Sequence, residues 1–279
     1  MSAAPPRAPE GGTGRWLGTG RWSGLGWSLL PLGAIFAVAA AVALFGSRSP
    51  TRLDPVLAWT SPSLERPFGS GEGGVDLLAL TAHAELRGMV LAVAVALFGF
   101  VVGTPLGAAA AFARGRFERG VARTCDLLQA FPTFLLALVV LSAVRAPTRW
   151  HLGIVFALTA WAPFARLALA QSRVLRAAAF IDASIALGQS PVRVFWYHVL
   201  PNLLGVVKVQ LGSTAASLIV SEAALAFVGF GPHDGVSLGN VLDQGVASML
   251  RAPHVLAVGA LSVFVTSASM LVAARAQKR

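Results

Sequence analysis

Few side chains of this sequence could do chemistry, and they stand far apart. Glu222 lies inside the apolar run "STAASLIVSEAALAFVGF". An ionisable group at such depth faces protein or a water-filled cavity, so a helix-packing contact and a contact with a transport pathway are the two readings. Lys208 and Gln210 come more than two turns earlier. Lys208 can reach the membrane surface along its own stem and is not paired with Glu222. His83, His151, His233 and His254 have no local ligand spacing, so no metal site is expected. Asp126 and Gln129, at the end of an apolar segment, suit capping or the interface. The single Cys125 reads as a small buried hydrophobe. There is no nucleophile–base pair and no G-x-x-x-x-G-K-[ST] loop, and the only lysines are Lys208 and Lys278. An enzyme is therefore not expected, nor a bound cofactor.

The elements that carry these residues belong to a membrane protein. Of 279 residues, 56% are hydrophobic and only 12% charged, with mean hydropathy +0.70. Soluble domains carry about a quarter charged residues. The net charge of +10 comes from Arg scattered between apolar runs, which suits flanks of spans and not nucleic-acid binding. The pattern divides into a disordered tail (1–27), a first span (28–46), a polar loop (47–85), a five-helix core (86–274) and a short tail (275–279). "AVA" at Ala41–Ala43 mimics a signal-peptidase site, but the long tail before it and the spans behind it favour an uncleaved first span. Within the core, apolar segments fall at about 88–112, 121–144, 152–170, 203–228 and 253–274. The expectation is all-α, with about six transmembrane helices. The stretch "GTPLGAAAA" suits close helix–helix approach. With both termini in the cytoplasm, 14 of the 22 Lys and Arg fall inside and seven outside, Lys208 lying within a span.

The polar interruption "FIDASIALGQSPVRVFWYHVLPN" then faces the cytoplasm. It reads as two short helices, about 177–187 and 191–200. Gly188 supplies a left-handed stop. Ser190 is the cap, with Pro191 in the first turn. Val192, Phe195, Trp196, Val199 and Leu200 form one apolar stripe at helical spacing, and Arg193 and Tyr197 point elsewhere. Pro201 is expected to end the element and re-aim the chain. A plain interfacial helix would read similarly; a rigid element with an apolar face could also dock a cytosolic protein.

This stretch resembles the coupling loop of bacterial ABC-importer permeases, Glu-Ala-Ala-x3-Gly-x9-Ile-x-Leu-Pro. Here it stands as Asp182-Ala183-Ser184, Gly188 and His198-Val199-Leu200-Pro201. His198 followed by Leu-Pro-Asn is similar to the dipeptide/oligopeptide/nickel branch. "DLLQAFPTFLLAL", "WAPFARLAL" and "SEAALAFVGFG" resemble words of its C-type subunits.

The resemblance implies a type I ABC-importer permease fold in the bacterial inner membrane. It implies a second permease subunit, two cytoplasmic ATPases that hydrolyse ATP, and an extracytoplasmic binding protein. The coupling loop would comprise Asp182, Ala183, Ser184, Gly188, Pro191, Arg193, His198, Leu200 and Pro201, with a peptide or related small solute as cargo. The chain departs from the branch in three places. Its outer segment reads Phe68-Gly69-Ser70-Gly71 then Gly74-Val75-Asp76, without the usual first Asp and Arg. Val236-Ser237-Leu238-Gly239 replaces Pro-Ser-Trp-Gly, and the C-terminal extension is only "ARAQKR". An ion-gradient transporter using Glu222 and Lys208, and a scaffold that docks an ATPase without transport, are the rival readings.

Overall fold

A computed structural model describes residues 23–46 and 49–276. The ten α-helices among them are α1 (Ser23–Phe45), α2 (Leu77–Ala113), α3 (Gly115–Ala130), α4 (Thr133–Ser142), α5 (Arg149–Arg176), α6 (Ala179–Ala186), α7 (Pro191–Val194), α8 (Leu200–Leu225), α9 (Leu238–Ala247) and α10 (Pro253–Ala276). Among the described residues, extended pairing is limited to one isolated bridge, Ser70 with Asp76. Residues 1–22 of the expected tail lie outside the described part; residues 23–27 already belong to α1.

Five of the six predicted apolar segments fall in continuous helices, and the one at 121–144 is helical on both sides of a break. Four helices are long and apolar enough to cross a bilayer: α2, α5, the run Pro191–Phe230 and α10. The α3–α4 pair makes a fifth if counted as one broken span, and Leu30–Phe45 of α1 is a shorter apolar helix. The expectation of one uninterrupted segment over 121–144 is corrected: α3 and α4 meet at 75°. Pro132 disfavours helical backbone at the residue before it, and Phe131 is extended (φ −96°, ψ 128°).

A second correction concerns the loop at 47–85, because α2 starts at Leu77. Asp76 caps it, its Oδ1 accepting from the N–H groups of Leu78 and Ala79 at 2.9 and 3.2 Å. Polar residues in the first turns obscured a helix that is buried by tertiary packing.

The bundle is organised around the α2–α5 seam. Gly99, Gly103 and Gly107 recur every four residues on one face of α2. A Cβ at these positions would strike the carbonyl oxygens of Ala160, Trp161 and Ala165 on α5. The close approach expected from "GTPLGAAAA" is thus present, made possible by missing side chains. Met89, Ala92, Val95 and Ala96 of α2 then form the main core with Leu152, Val155 and Phe156 of α5 and Leu218, Ile219 and Leu225 of α8. Cys125 is fully buried.

Candidate functional site

The turn between α6 and α7 follows from local chemistry. Gly188 adopts φ +82°, its N–H donates to Ile185 O at 2.9 Å and the Gln189 N–H donates to Ser184 O at 3.2 Å. Ser190 then caps α7, accepting from the Arg193 N–H at 3.3 Å, and Pro191 occupies the first turn. Gly188, Ser190 and Pro191 have the conformations expected from sequence.

The far end differs. Pro201 does not end the element: the chain runs on as one helix from Pro191 through Pro201 to the kink at Gly229 (φ 90°). Phe195–Val199 form a π-turn, with the Leu200 N–H donating to Phe195 O five residues back. Proline lacks an N–H and its ring presses on the carbonyl four residues earlier, so a widened turn just before it lets the helix continue.

The same turn breaks the expected apolar stripe. Val194 and Val199, five residues apart, are buried with Ile181, Leu203 and Val207. Phe195 is half-buried and Leu200 intermediate, while Val192 and Trp196 are exposed. A 3.6-residue period assigned Val192 and Trp196 to the buried face; one extra residue in the turn rotates them out. The exposed surface therefore combines Val192 and Trp196 with Arg193, whose guanidinium lies 6.0 Å from the Tyr197 ring centroid. Leu187, 83% exposed, extends it beyond the turn.

His198 braces the bend, a role that sequence reasoning missed. Its Nε2 is 3.1 Å from Gln189 Oε1, its ring is 6.3 Å from that of Phe180, and its carbonyl accepts from Asn202 Nδ2 at 2.6 Å. It thus touches α6, the turn and the start of α8. Gln189 offered the one signal, a polar side chain following the Gly stop. Asp182 and Ala183 are exposed, and Ser184 is buried, donating its hydroxyl to Phe180 O at 2.8 Å.

Ion pairs hold the neighbouring helices at this end. Arg173 pairs with Glu118 at 2.6 Å and Arg166 with Asp126. Arg176 donates to the Ala111 carbonyl. Asp126 is therefore a helix-to-helix tie, while Gln129 donates to Cys125 O at 3.2 Å.

Farther along the continuous helix, Gln210, Ser213, Thr214, Ser217 and Ser221 line a cavity of about 360 Å³ with Thr159 of α5 and the Pro132 elbow. Its polar lining is hydroxyl and amide, and none of its lining residues is charged. Glu222 does not line it. Glu222 is buried in a void of about 10 Å³ against Gly88, Glu85 and Thr266, and Glu85 accepts from the Thr266 hydroxyl. Lys208 is exposed and lies 14 residues from Glu222, about 21 Å along a helix.

The divergent outer segments remain ordered. Arg66 Nη1 donates to Ser70 Oγ at 2.6 Å and Gly74 O at 2.9 Å, bridging the segment that lacks the family's Arg. Ser237 caps α9, accepting from the Asn240 N–H at 3.2 Å. A Cβ at Gly239 would strike Ala223 O, so α9 packs closely on α8.

The fold is a helical bundle with four to five helices apolar enough to cross a membrane, a bent element at one end and a polar cavity within, the architecture of a multi-pass membrane protein. The chain belongs to the family described as binding-protein-dependent transport system inner membrane component, whose model matches residues 103–279. It is similar to a protein named as a peptide transport system permease in Brucella suis biovar 1, 34% identical over 225 residues, 79% of this chain and 74% of that protein. It is also similar to the glutathione transport system permease protein GsiD of Shigella dysenteriae serotype 1, 31% identical over 206 residues, 74% of this chain and 68% of the relative. The GsiD protein of Escherichia coli O6:K15:H31 is 30% identical over the same length. The chain is an inner-membrane, multi-pass permease component.

Proposed function

We propose that this chain is one of two permease subunits in an ATP-driven importer for peptides or a related small solute such as glutathione. The relatives' names supply that substrate range. Residues 177–201 would face the cytoplasm and dock on a separate ATPase, with two ATPases and an extracytoplasmic binding protein completing the complex. The observation that carries the reading is the helix over 191–228, continuous through Pro201 up to the left-handed Gly229, which joins the bent element to the polar cavity. At about 1.5 Å per residue it is some 60 Å long, twice the thickness of a bilayer core. A displacement at its exposed end is therefore delivered to the cavity wall without an intervening hinge.

Closure of the ATPases would shift the bundle between inward- and outward-facing states. This requires contacts at residues 187–197 that differ between the two states, since a ligand that binds both equally shifts nothing. The exposed Leu187, Val192, Arg193 and Trp196 supply such a surface. The cavity's hydroxyls and amide would form this subunit's part of the pathway, exchanging hydrogen bonds with a hydrated solute. Glu222 is assigned to packing, on the strength of its enclosed position.

The test is purification of the full chain with its native partners, followed by reconstitution in vesicles. Substrate-stimulated ATP hydrolysis and uptake are expected, with a second permease and an ATPase in the complex. Uptake that survives ATP depletion and collapses with an ion gradient would overturn the reading. An ATPase that co-purifies without substrate-stimulated hydrolysis would instead identify a scaffold.

A further inference from the structure

A groove of about 590 Å³ runs along the α2–α5 seam, at the end of the bundle opposite the bent element. We infer that it binds an anionic phospholipid, with Arg87 and Arg149 holding the headgroup phosphate and an acyl chain lying over Val90, Leu91 and Ala94. The two guanidinium groups converge on Gly235: a Cβ there would collide with Arg87 Nη1 and meet Arg149 Nη2 at 3.1 Å. Arg149 is held in place, donating from Nη2 to Val236 O at 2.8 Å and lying 3.7 Å from Asp234 Oδ1. Arg87 is exposed on the groove wall. The lining thus has two cations and one acid; Glu222 is buried behind Gly88, outside the groove.

The apolar part matches a lipid tail and gives a free anion nothing. Val90 and Ala94 follow Arg87 by one and two turns on an exposed face of α2. Trp150, 80% exposed, stands at the start of α5 beside the arginines. Trp with Arg at the end of an apolar span is the arrangement of a headgroup boundary. The depth agrees: about 39 Å of α2 extends beyond Arg87, enough to cross a hydrocarbon core of about 30 Å. An arginine near a charged lipid surface contributes about 1 kcal/mol, a factor of about five in binding.

The test uses the full chain in neutral detergent and reads retained lipid by native mass spectrometry. Phosphatidylglycerol, phosphatidylcholine with the same acyl chains, and inorganic phosphate are offered in parallel. Phosphatidylglycerol should be retained about fivefold over phosphatidylcholine, and Arg87→Gln should remove that preference. Ala94→Trp, which fills the tail groove without changing charge, should lower retention of both lipids. Arg251→Gln, in a different groove, should leave the preference intact. The proposal fails if Arg87→Gln keeps the wild-type preference, or if inorganic phosphate displaces phosphatidylglycerol at equal concentration. It also fails if a Val90→Cys variant cross-links to a second permease in the assembled complex. None of these outcomes depends on transport, so they are separable from the importer reading.

Discussion

Two glycines do opposite work in this molecule. Gly188 stands at φ +82° in open space, with nothing within 4 Å of a Cβ there, so substitution costs backbone strain alone. That strain is about 1–2 kcal/mol. Gly103 has an ordinary backbone, but a Cβ would press on Trp161 O and Phe164. Overpacking of this kind costs about 1–3 kcal/mol. Gly103→Leu should therefore lower the thermal unfolding temperature of the detergent-solubilised chain. Gly188→Val should also lower that temperature, through backbone strain alone, and in the protein that remains folded it should reduce substrate-stimulated ATP hydrolysis and uptake; normal values of both would remove the turn from the coupling proposal. Arg193 is exposed beside Tyr197, so Arg193→Glu reverses charge without disturbing a core. Weaker retention of the ATPase in a pull-down is expected, and unchanged retention would place the contact on another face.

At the scale of elements, the π-turn sets which residues of α7 meet solvent. Deleting Tyr197 removes one residue from the widened turn and rotates Pro191–Trp196 by about 100° relative to α8. Val192 and Trp196 would then turn toward the packed side and Val194 away from it. The main cluster of α2, α5 and α8 around Phe156 and Leu225 does not involve this turn, but Val194 and Val199 pack with Ala108, Phe164 and Leu203 in a second one, so the variant should keep its helical content with a lowered unfolding temperature while failing to couple. Circular dichroism and size-exclusion behaviour check the first part, and ATPase stimulation checks the second. Stimulation equal to wild type would mean that the orientation of the exposed face has no role.

For the whole molecule, the bent element and the 49–76 loop lie at opposite ends of the helices that join them. With Cys125→Ser as background, Leu187→Cys and Leu64→Cys introduce thiols at exposed positions, 83% and 103% accessible. A membrane-impermeant maleimide should label Leu187→Cys only from the cytoplasmic side and Leu64→Cys only from the other. The reverse pattern, or labelling of both from one side, would end the coupling proposal, since no cytosolic ATPase could reach residues 177–201. The same measurement checks the two-to-one bias of basic residues on which the proposed orientation rests.

Much of this was legible before any coordinates. Apolar runs of spanning length, glycines at four-residue spacing, and the order Gly188, Ser190, Pro191 are local properties, each with a local physical cause. The sequence by itself determined the membrane class, the six apolar helical segments and the bend between α6 and α7. The tertiary structure decided the rest. Whether Pro201 breaks the helix depended on the turn before it, and which residues of α7 are exposed depended on that turn's width. Whether Glu222 meets a pathway or an enclosed void depended on where α2 and α10 pack. Arg87 and Arg149, 62 positions apart in the chain, converge only because α2 and α5 run side by side. Backbone preference acts over a few residues and can be read from them; burial and convergence arise from contacts between distant segments, and no window of sequence contains those.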